Sequence, residues 1–334
     1  MPTWAWAVLL LVLVWAGWTR LTWLSGREGA ADLVIYSGRS EALIADLIAE
    51  FEAEQEWTIH VRYGQTAELA ATILEEGANS PADVFFAQDA GALGALARAG
   101  RLQVLPTELR TAVPAPFRSA QDQWVGISGR ARVLVYHPDR VAPHELPTHW
   151  DDLRDPAWRG RLGWAPTNGS FQAFVTAMRV TRGMDATRDW LIGLRDLRTR
   201  SYARNTPIVW AVVAGEIDAG LVNHYYLHAL ARQRAEPLPI RNHYLDEVLV
   251  NVAGVGILDT SARSEAARAF IAFLLSDRAQ RFFTEETFEY PLTGRVDPHP
   301  DLPPLSALQT PDLDLDDLDD LEPTLNLLQE CNIL

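Results

Sequence analysis

The sequence predicts an α/β protein of two lobes, each a mostly parallel sheet with helices on both faces, and a ligand cleft between the lobes. Three observations predict this fold. The chain has 334 residues, of which 48% are hydrophobic and 22% charged, enough to bury a full core. Strand-like and helix-like segments alternate over residues 32–87, and the alternation resumes after residue 132. Parallel strands need long crossovers and cover on both faces, which favours helices on each side of the sheets.

The elements of the first lobe follow from hydrophobic periodicity. The segment DLVIYS is short and rich in β-formers, whereas the next apolar residues recur at helical spacing. Gly77 is placed to end a helix. The predicted elements are, in order, a strand at residues 32–37, a helix at 41–54, a strand at 57–63, a helix at 66–76 and a strand at 82–87.

The second lobe repeats the pattern, and the chain then returns to the first lobe. The predicted elements are strands at residues 132–136 and 160–164, a helix from about Ser170, a strand at 218–223 that leads into a helix, a returning strand at 253–258, a helix at 264–275 and a short closing helix at 321–334. The acidic, Pro-rich segment at 300–323 is predicted to be solvated, because it lacks the glycine and glutamate of a calcium loop.

These elements predict the domain organisation. The first lobe comprises residues 31–130 and 255–304, and the second comprises residues 131–254 and 305–334 with the closing helix. Ligands of such sheets bind beyond the carboxyl ends of the strands, so the cleft is the predicted binding site.

The composition excludes several functions. The formal net charge is −15, which repels nucleic acid and is compatible with a cationic ligand. The sequence contains no lysine, which excludes a P-loop and Schiff-base chemistry. Its single cysteine, Cys331, excludes internal disulfides and cysteine-rich metal sites.

The N-terminal residues 1–30 are predicted to be a signal peptide or an uncleaved membrane anchor. Residues 4–24 are almost entirely apolar, and a membrane span needs roughly 20 such residues. Arg20 and Arg27 follow this stretch and no basic residue precedes it, which conflicts with the positive-inside rule for an exported chain. Either alternative places the rest of the chain in the periplasm or on the outer face of the cytoplasmic membrane.

The most distinctive segment is DAGLVNHYYLH, residues 218–228, in which an apolar strand precedes two adjacent tyrosines. Asn223 is predicted to cap the following helix and to place Tyr225 and Tyr226 in its first turn. A phenolate at neutral pH requires a strongly charged cation, and ferric iron prefers oxygen ligands. Two packed aromatic residues are the alternative. His224 and His228 are predicted to be solvated rather than metal ligands.

Six blocks occur in the order IYSGRSEAL, EEGANSPADVFFAQD, WVGISGRARVLVY, PAWRGRLGW, YARNTPIVWAVVAGEIDAGLVNHYY and EYPL. From Leu33 onward the chain thereby resembles the periplasmic ferric iron-binding proteins of ABC transporters. The resemblance implies a type II periplasmic binding protein fold, a non-enzymatic role, and iron ligation by the phenolates of Tyr225 and Tyr226.

The resemblance also implies a synergistic anion, such as phosphate, carbonate or citrate, because two phenolates leave one positive charge of Fe³⁺ unbalanced. The implied anion or solute contacts are Ser40, Gly169, Ser170, Asn205 and Asn223. Arg39, Ser128 and Arg130 are expected in the cleft or at the hinge.

The first lobe departs from the family pattern. Ser40 replaces a histidine, and the expected carboxylate position falls on Ala67, beside Glu68. Glu41 and Glu68 are therefore the candidate additional iron ligands, and otherwise anion or water completes the iron or the solute is a ferric chelate.

The predicted mechanism is capture of Fe³⁺ by lobe closure in a monomer, followed by delivery to an ABC transporter permease. The main alternative is an anionic organic solute, such as a sugar phosphate, a phosphonate or thiamine. An enzyme on a two-lobed scaffold and a membrane-anchored receptor are further alternatives.

Overall fold

The computed structural model describes residues 31–334, and the leader predicted at residues 1–30 lies outside the described residues. The strands are β1 (Leu33–Ser37), β2 (Ile59–Tyr63), β3 (Val84–Ala87), β4 (Trp124–Tyr136), β5 (Leu162–Trp164), β6 (Arg200–Ser201), β7 (Ala219–Asn223), β8 (Arg241–His243), β9 (Val250–Ile257) and β10 (Tyr290–Pro291). The helices are α1 (Glu41–Gln55), α2 (Thr66–Glu76), α3 (Ala90–Arg98), α4 (Thr107–Arg110), α5 (Gly169–Arg182), α6 (Met184–Asp196), α7 (Asn205–Val213), α8 (Tyr225–Ala231), α9 (Ser264–Leu274), α10 (Asp277–Glu286) and α11 (Leu321–Glu330). Within residues 31–334, no helix is both long enough and apolar enough to span a membrane.

The helices and strands predicted for the first lobe are confirmed. Helix α2 has the predicted bounds, and Gly77 ends it with a φ of 53°. Helix α1 buries the apolar face that its periodicity predicts, which includes Ile44, Leu47 and Phe51. Each helix forms because one face is apolar and is covered by the sheet.

The strands form one mixed sheet of two parallel blocks. Strand β1 pairs in parallel with β2 and β3, and β5 pairs in parallel with β6 and β7. Between these blocks, β9 runs antiparallel to β3 and β4, and β4 runs antiparallel to β7. The two blocks are the sheets of the two lobes, and β4 and β9 join them.

Strand β4 is longer than the sequence predicts, because the prediction covered only residues 132–136. Its first part, Trp124 to Ala131, pairs with β9, and its second part, Arg132 to Tyr136, pairs with β7. The first part contains Gly126, where a Cβ atom would lie 2.5 Å from the carbonyl oxygen of Phe117. Glycines and arginines obscure the strand pattern, although all thirteen residues are buried.

The C-terminal segment contacts both lobes. Asp316 is only 4% exposed and accepts hydrogen bonds from the indole of Trp124 and the hydroxyl of Ser119. The prediction of a solvated acidic segment is therefore wrong at Asp316. Farther along, the hydroxyl of Thr324 in α11 lies 2.8 Å from that of Thr176 in α5. The predicted lobe boundaries, which assign residues 305–334 to the second lobe, stay predictions.

Candidate functional site

A cavity of about 310 Å³ lies between the two parallel blocks of the sheet. The first-lobe wall consists of Gly38, Gln65, Thr66, Ala67, Gln88 and Asp89. The second-lobe wall consists of Asn168, Gly169, Ser170, Asn223, Tyr225 and Tyr226. The floor comes from the joining strands β4 and β9 and the residue before β9, and consists of Arg130, Arg132, Leu249 and Asn251.

The adjacent tyrosines share the first turn of α8, as predicted. Their rings are stacked, with centroids 4.5 Å apart and planes 27° from parallel. Burial and the neighbouring Tyr226 raise the pKa of Tyr225, so its phenol is protonated at neutral pH unless a cation displaces the proton. The predicted helix cap is wrong: Asn223 is the last residue of β7, where it pairs with Arg132, and His224 precedes the helix.

His224 anchors the tyrosine helix to the rest of the molecule. It is fully buried rather than solvated, contrary to the prediction. Its Nδ1 accepts the backbone N–H of Ala131 at 3.1 Å, so its Nε2 carries the proton and donates to the carbonyl of Phe288 at 2.7 Å. Burial lowers the pKa of His224 to about 4, which keeps this ring neutral.

Arg132 is a cavity residue that sequence reasoning missed. It is 1% exposed, donates to the carbonyl of Leu221 at 2.9 Å, and has no carboxylate partner within residues 31–334. Burial lowers the pKa of Arg132 to about 9, although Tyr226 and Tyr225 act to raise it. The sequence could have identified Arg132, because Arg130 and Arg132 are two residues apart on one strand and their side chains therefore share a face.

The predicted anion contacts in the second lobe lie together. Asn168 caps α5 by accepting the N–H of Ser170 at 3.1 Å. Asn205 lies behind this turn, and its amide donates to Asn168 at 3.3 Å and to Ser170 at 3.2 Å. Gly169 and Ser170 line the cavity, and a Cβ atom at Gly169 would meet no heavy atom within 4 Å. Polar donors thus surround one corner of the cavity beside Arg132.

Of the residues predicted for the first lobe, Arg130 lies in the cavity floor, and the others lie elsewhere. Arg39 is completely buried and forms a bidentate ion pair with Glu289, at 2.8 and 2.9 Å. Ser128 donates to the same carboxylate at 2.6 Å, so both residues belong to a buried network under the cavity. Ser40, Glu41 and Glu68 are exposed and are not among the residues of the cavity walls.

Asp89 and Gln88 occupy the place that the sequence prediction gave to Glu41 and Glu68. They directly follow β3 at its carboxyl end, which is where ligands bind in parallel sheets. Burial raises the pKa of Asp89, and the charge of Arg130 offsets part of this shift. Within residues 31–334, no group of three His, Cys, Asp or Glu side chains could hold a metal ion. Metal binding here would therefore depend on the phenols.

Two α/β lobes joined by long strands around a polar cavity are the hallmark of solute-binding proteins. Residues 33–289 match the family of bacterial extracellular solute-binding proteins, and the chain belongs to this family. This membership confirms the prediction of a binding protein for transport rather than an enzyme.

Several relatives of this chain are named as iron-binding proteins or have structures that contain iron. The chain is 33% identical over 313 residues to the major ferric iron-binding protein of Neisseria meningitidis serogroup B, which covers 91% of this chain and 93% of the relative. Iron-bound HitA from Pseudomonas aeruginosa is 33% identical, with a TM-score of 0.82 over 90% of this chain and 98% of that chain. A Trichodesmium protein (IdiA, FutA) in complex with iron and citrate is 28% identical, with a TM-score of 0.80 over 90% of this chain and 99% of that chain. These structures confirm the type II periplasmic binding protein fold.

Proposed function

We propose that this protein captures ferric iron in the cavity between its lobes and delivers it to the permease of an ABC importer. The observation that carries the proposal is the stacked pair of Tyr225 and Tyr226 in the cavity wall. The relatives support it, since the protein from Neisseria meningitidis is named a ferric iron-binding protein and the HitA structure holds iron.

The chemistry of the cavity suits a hard trivalent cation. Fe³⁺ displaces the phenol protons, and phenolate oxygens are ligands that such a cation prefers. Because the pKa of Tyr225 is raised, protons compete strongly for this ligand, and acid releases the iron.

A synergistic anion such as phosphate, carbonate or citrate accompanies the iron. Arg132 supplies a positive charge that no carboxylate of the described residues pairs, and Ser170, Gly169 and Asn223 line the same part of the cavity. Asn205 donates a hydrogen bond to Ser170 and so holds Gly169 and Ser170 in place. Ser40, exposed at the start of α1, contributes only if the lobes move closer together.

Capture proceeds by movement of the lobes about β4 and β9, without any bond being made or broken in the solute. Iron binds first to the second-lobe wall, and the first-lobe wall then covers it. The closed monomer is the form that the permease recognises, in the periplasm or on the outer face of the cytoplasmic membrane, and the N-terminal residues act as export signal or anchor.

A ferric chelate is the second candidate solute, because a further cavity of about 350 Å³ adjoins the first. Ala67, Asp89 and Gly169 border both cavities, and the added space is lined mainly by alanines and leucines. An organic solute without iron is disfavoured, because it would need neither tyrosine.

The experiment that tests the proposal is a titration of the purified chain with ferric citrate, followed in the visible spectrum. We expect a phenolate-to-iron charge-transfer band in the wild type. Tyr225→Phe and Tyr226→Phe should each lower iron affinity by more than the roughly 10–100-fold that loss of an outer-shell contact costs. The matched control is Tyr202→Phe, which changes a tyrosine outside the cavity walls. Absence of the band in the wild type would exclude the proposed function.

A further inference from the structure

We infer that Asp89 is the first-lobe ligand of the iron. This inference rests on the proposed function and adds to it the residue through which the first lobe contacts the bound ion. Asp89 is the only carboxylate among the cavity-lining residues in the part of the chain that the structure describes. Glu41 and Glu68 are exposed on helices α1 and α2 and line no part of this cavity.

The position of Asp89 follows from the topology of the first lobe. Strands β1, β2 and β3 are parallel, so their carboxyl ends meet at one edge of the sheet. Gly38 follows β1, Gln65 lies two residues after β2, and Asp89 lies two residues after β3, and all three line the cavity. Tyr225 lies two residues after β7 on the opposite wall. The acid and the phenols thus occupy equivalent positions at the edges of the two sheets.

The side chain of Asp89 is held in position, yet its carboxylate remains available to a ligand. Its Oδ1 accepts the N–H of Ala92 at 3.2 Å, which holds the carboxylate at the first turn of α3. Beyond this cap, no side chain in residues 31–334 forms a hydrogen bond or an ion pair with it, and it is partly exposed to the cavity. Because only backbone N–H groups of the described residues bind this carboxylate, it can still coordinate a hard cation.

Charge supports the same assignment. Two phenolates and one carboxylate supply three negative charges, which balance Fe³⁺. Arg130 and Arg132 then keep a net positive charge on the floor of the cavity, and an accompanying anion neutralises it. Without Asp89, the described walls offer Fe³⁺ no anionic oxygen from the first lobe, and closure would add no charged ligand.

The test compares Asp89→Asn with the wild type in the ferric citrate titration. Asparagine caps helices as well as aspartate does, so the fold should keep its stability. We expect roughly a 10-fold loss of iron affinity. We also expect the charge-transfer band to move to longer wavelength, because iron that loses an anionic ligand accepts charge from phenolate more readily. Asp46→Asn, on the exposed face of α1, is the control for the change in net charge.

Asp89→Glu is the second variant, since it retains a carboxylate and should keep the band closer to its wild-type position. An Asp89→Asn protein with wild-type affinity and an unmoved band would overturn the assignment. A weaker affinity with an unmoved band would overturn it too, because a purely structural role does not change the electronic state of the iron. Absence of any band in the wild type would instead reject the proposed function, so the two failures are distinguishable.

Discussion

The two walls of the cavity are built alike, but only one of them was predicted from the sequence. Each wall consists of the residues that follow the carboxyl ends of parallel strands. In the second-lobe wall, the predicted Gly169, Ser170, Asn223, Tyr225 and Tyr226 all line the cavity. Of the side chains predicted in the first lobe, only Arg130 lines the cavity, and it belongs to the floor rather than to the wall. The difference teaches that positions transferred from relatives locate the site where the sequence keeps the family pattern, whereas strand ends locate it where the first lobe departs from that pattern.

The buried arginines of the molecule show the same contrast. Arg39, two residues after β1, forms a bidentate ion pair with Glu289. Arg132, at the second-lobe end of the floor, has no carboxylate partner among residues 31–334. A buried pair holds structure together, whereas an unpaired buried charge beside a cavity is available to a ligand. We therefore expect mutations of the two arginine sites to affect different properties.

The largest effect should come from Glu289→Gln, which leaves Arg39 buried without its partner. Removing one member of a buried ion pair costs about 3–5 kcal/mol, so the free energy of unfolding should fall by about that amount in urea. Ser128→Ala is a milder control, because it removes one hydrogen bond to the same carboxylate and leaves the pair in place. An unfolding free energy within about 1 kcal/mol of the wild type would contradict the structural role of the pair.

This pair also gives the wild type a defined acid sensitivity. Burial acts to raise the pKa of Glu289, but the charge and hydrogen bonds of Arg39, with help from Arg130 and Ser128, lower it below the usual value. The stabilisation is therefore present above the pKa of an unfolded glutamate and is lost as the pH falls through the lower folded pKa. The Glu289→Gln variant lacks the stabilisation that the ionised carboxylate provides. Its free energy of unfolding should therefore depend less on pH in the acid range.

Arg132→Met should change binding rather than stability. Methionine fills a similar volume without charge, and relief from an uncompensated buried charge offsets the lost hydrogen bond to Leu221. In phosphate buffer we expect roughly a 10-fold loss of iron affinity, because the anion loses its partner. In a buffer without coordinating anions the affinity should not fall, since a positive charge near Fe³⁺ is then unfavourable. Equal losses in the two buffers would contradict a role for Arg132 toward the anion.

Elements with clear periodicity were predictable, and the interrupted ones were not. Helix α2 was predicted with its observed bounds because its apolar spacing and terminal glycine agree. Strand β4 was predicted only in its second part, because burial on both sides lets glycine and arginine occupy a strand without alternation. Asp316 was assigned to solvent because composition does not reveal that Trp124 and Ser119 donate to it.

The tyrosine pair was predictable because its two members are neighbours in the sequence. Asp89 is far from them along the chain, and the parallel pairing of β3 with β1 brings its strand end to the same cavity. Contacts of this kind depend on topology, which periodicity does not give. Applying the strand-end rule to residues 82–87 would have identified Gln88 and Asp89 as candidates from the sequence alone.

The smallest effect should come from Glu41→Gln and Glu68→Gln, which test the first-lobe ligands that the sequence predicts. Both carboxylates are exposed, so solvent screens their charge, and each variant should change iron affinity by less than about twofold. The measurement is the ferric citrate titration beside Asp89→Asn. If lobe closure carries either glutamate onto the iron, its variant would instead lose roughly 10-fold and move the charge-transfer band. That outcome would restore the prediction from the family pattern and remove the contrast between the two walls, because the first lobe would then use the residues that the resemblance assigns.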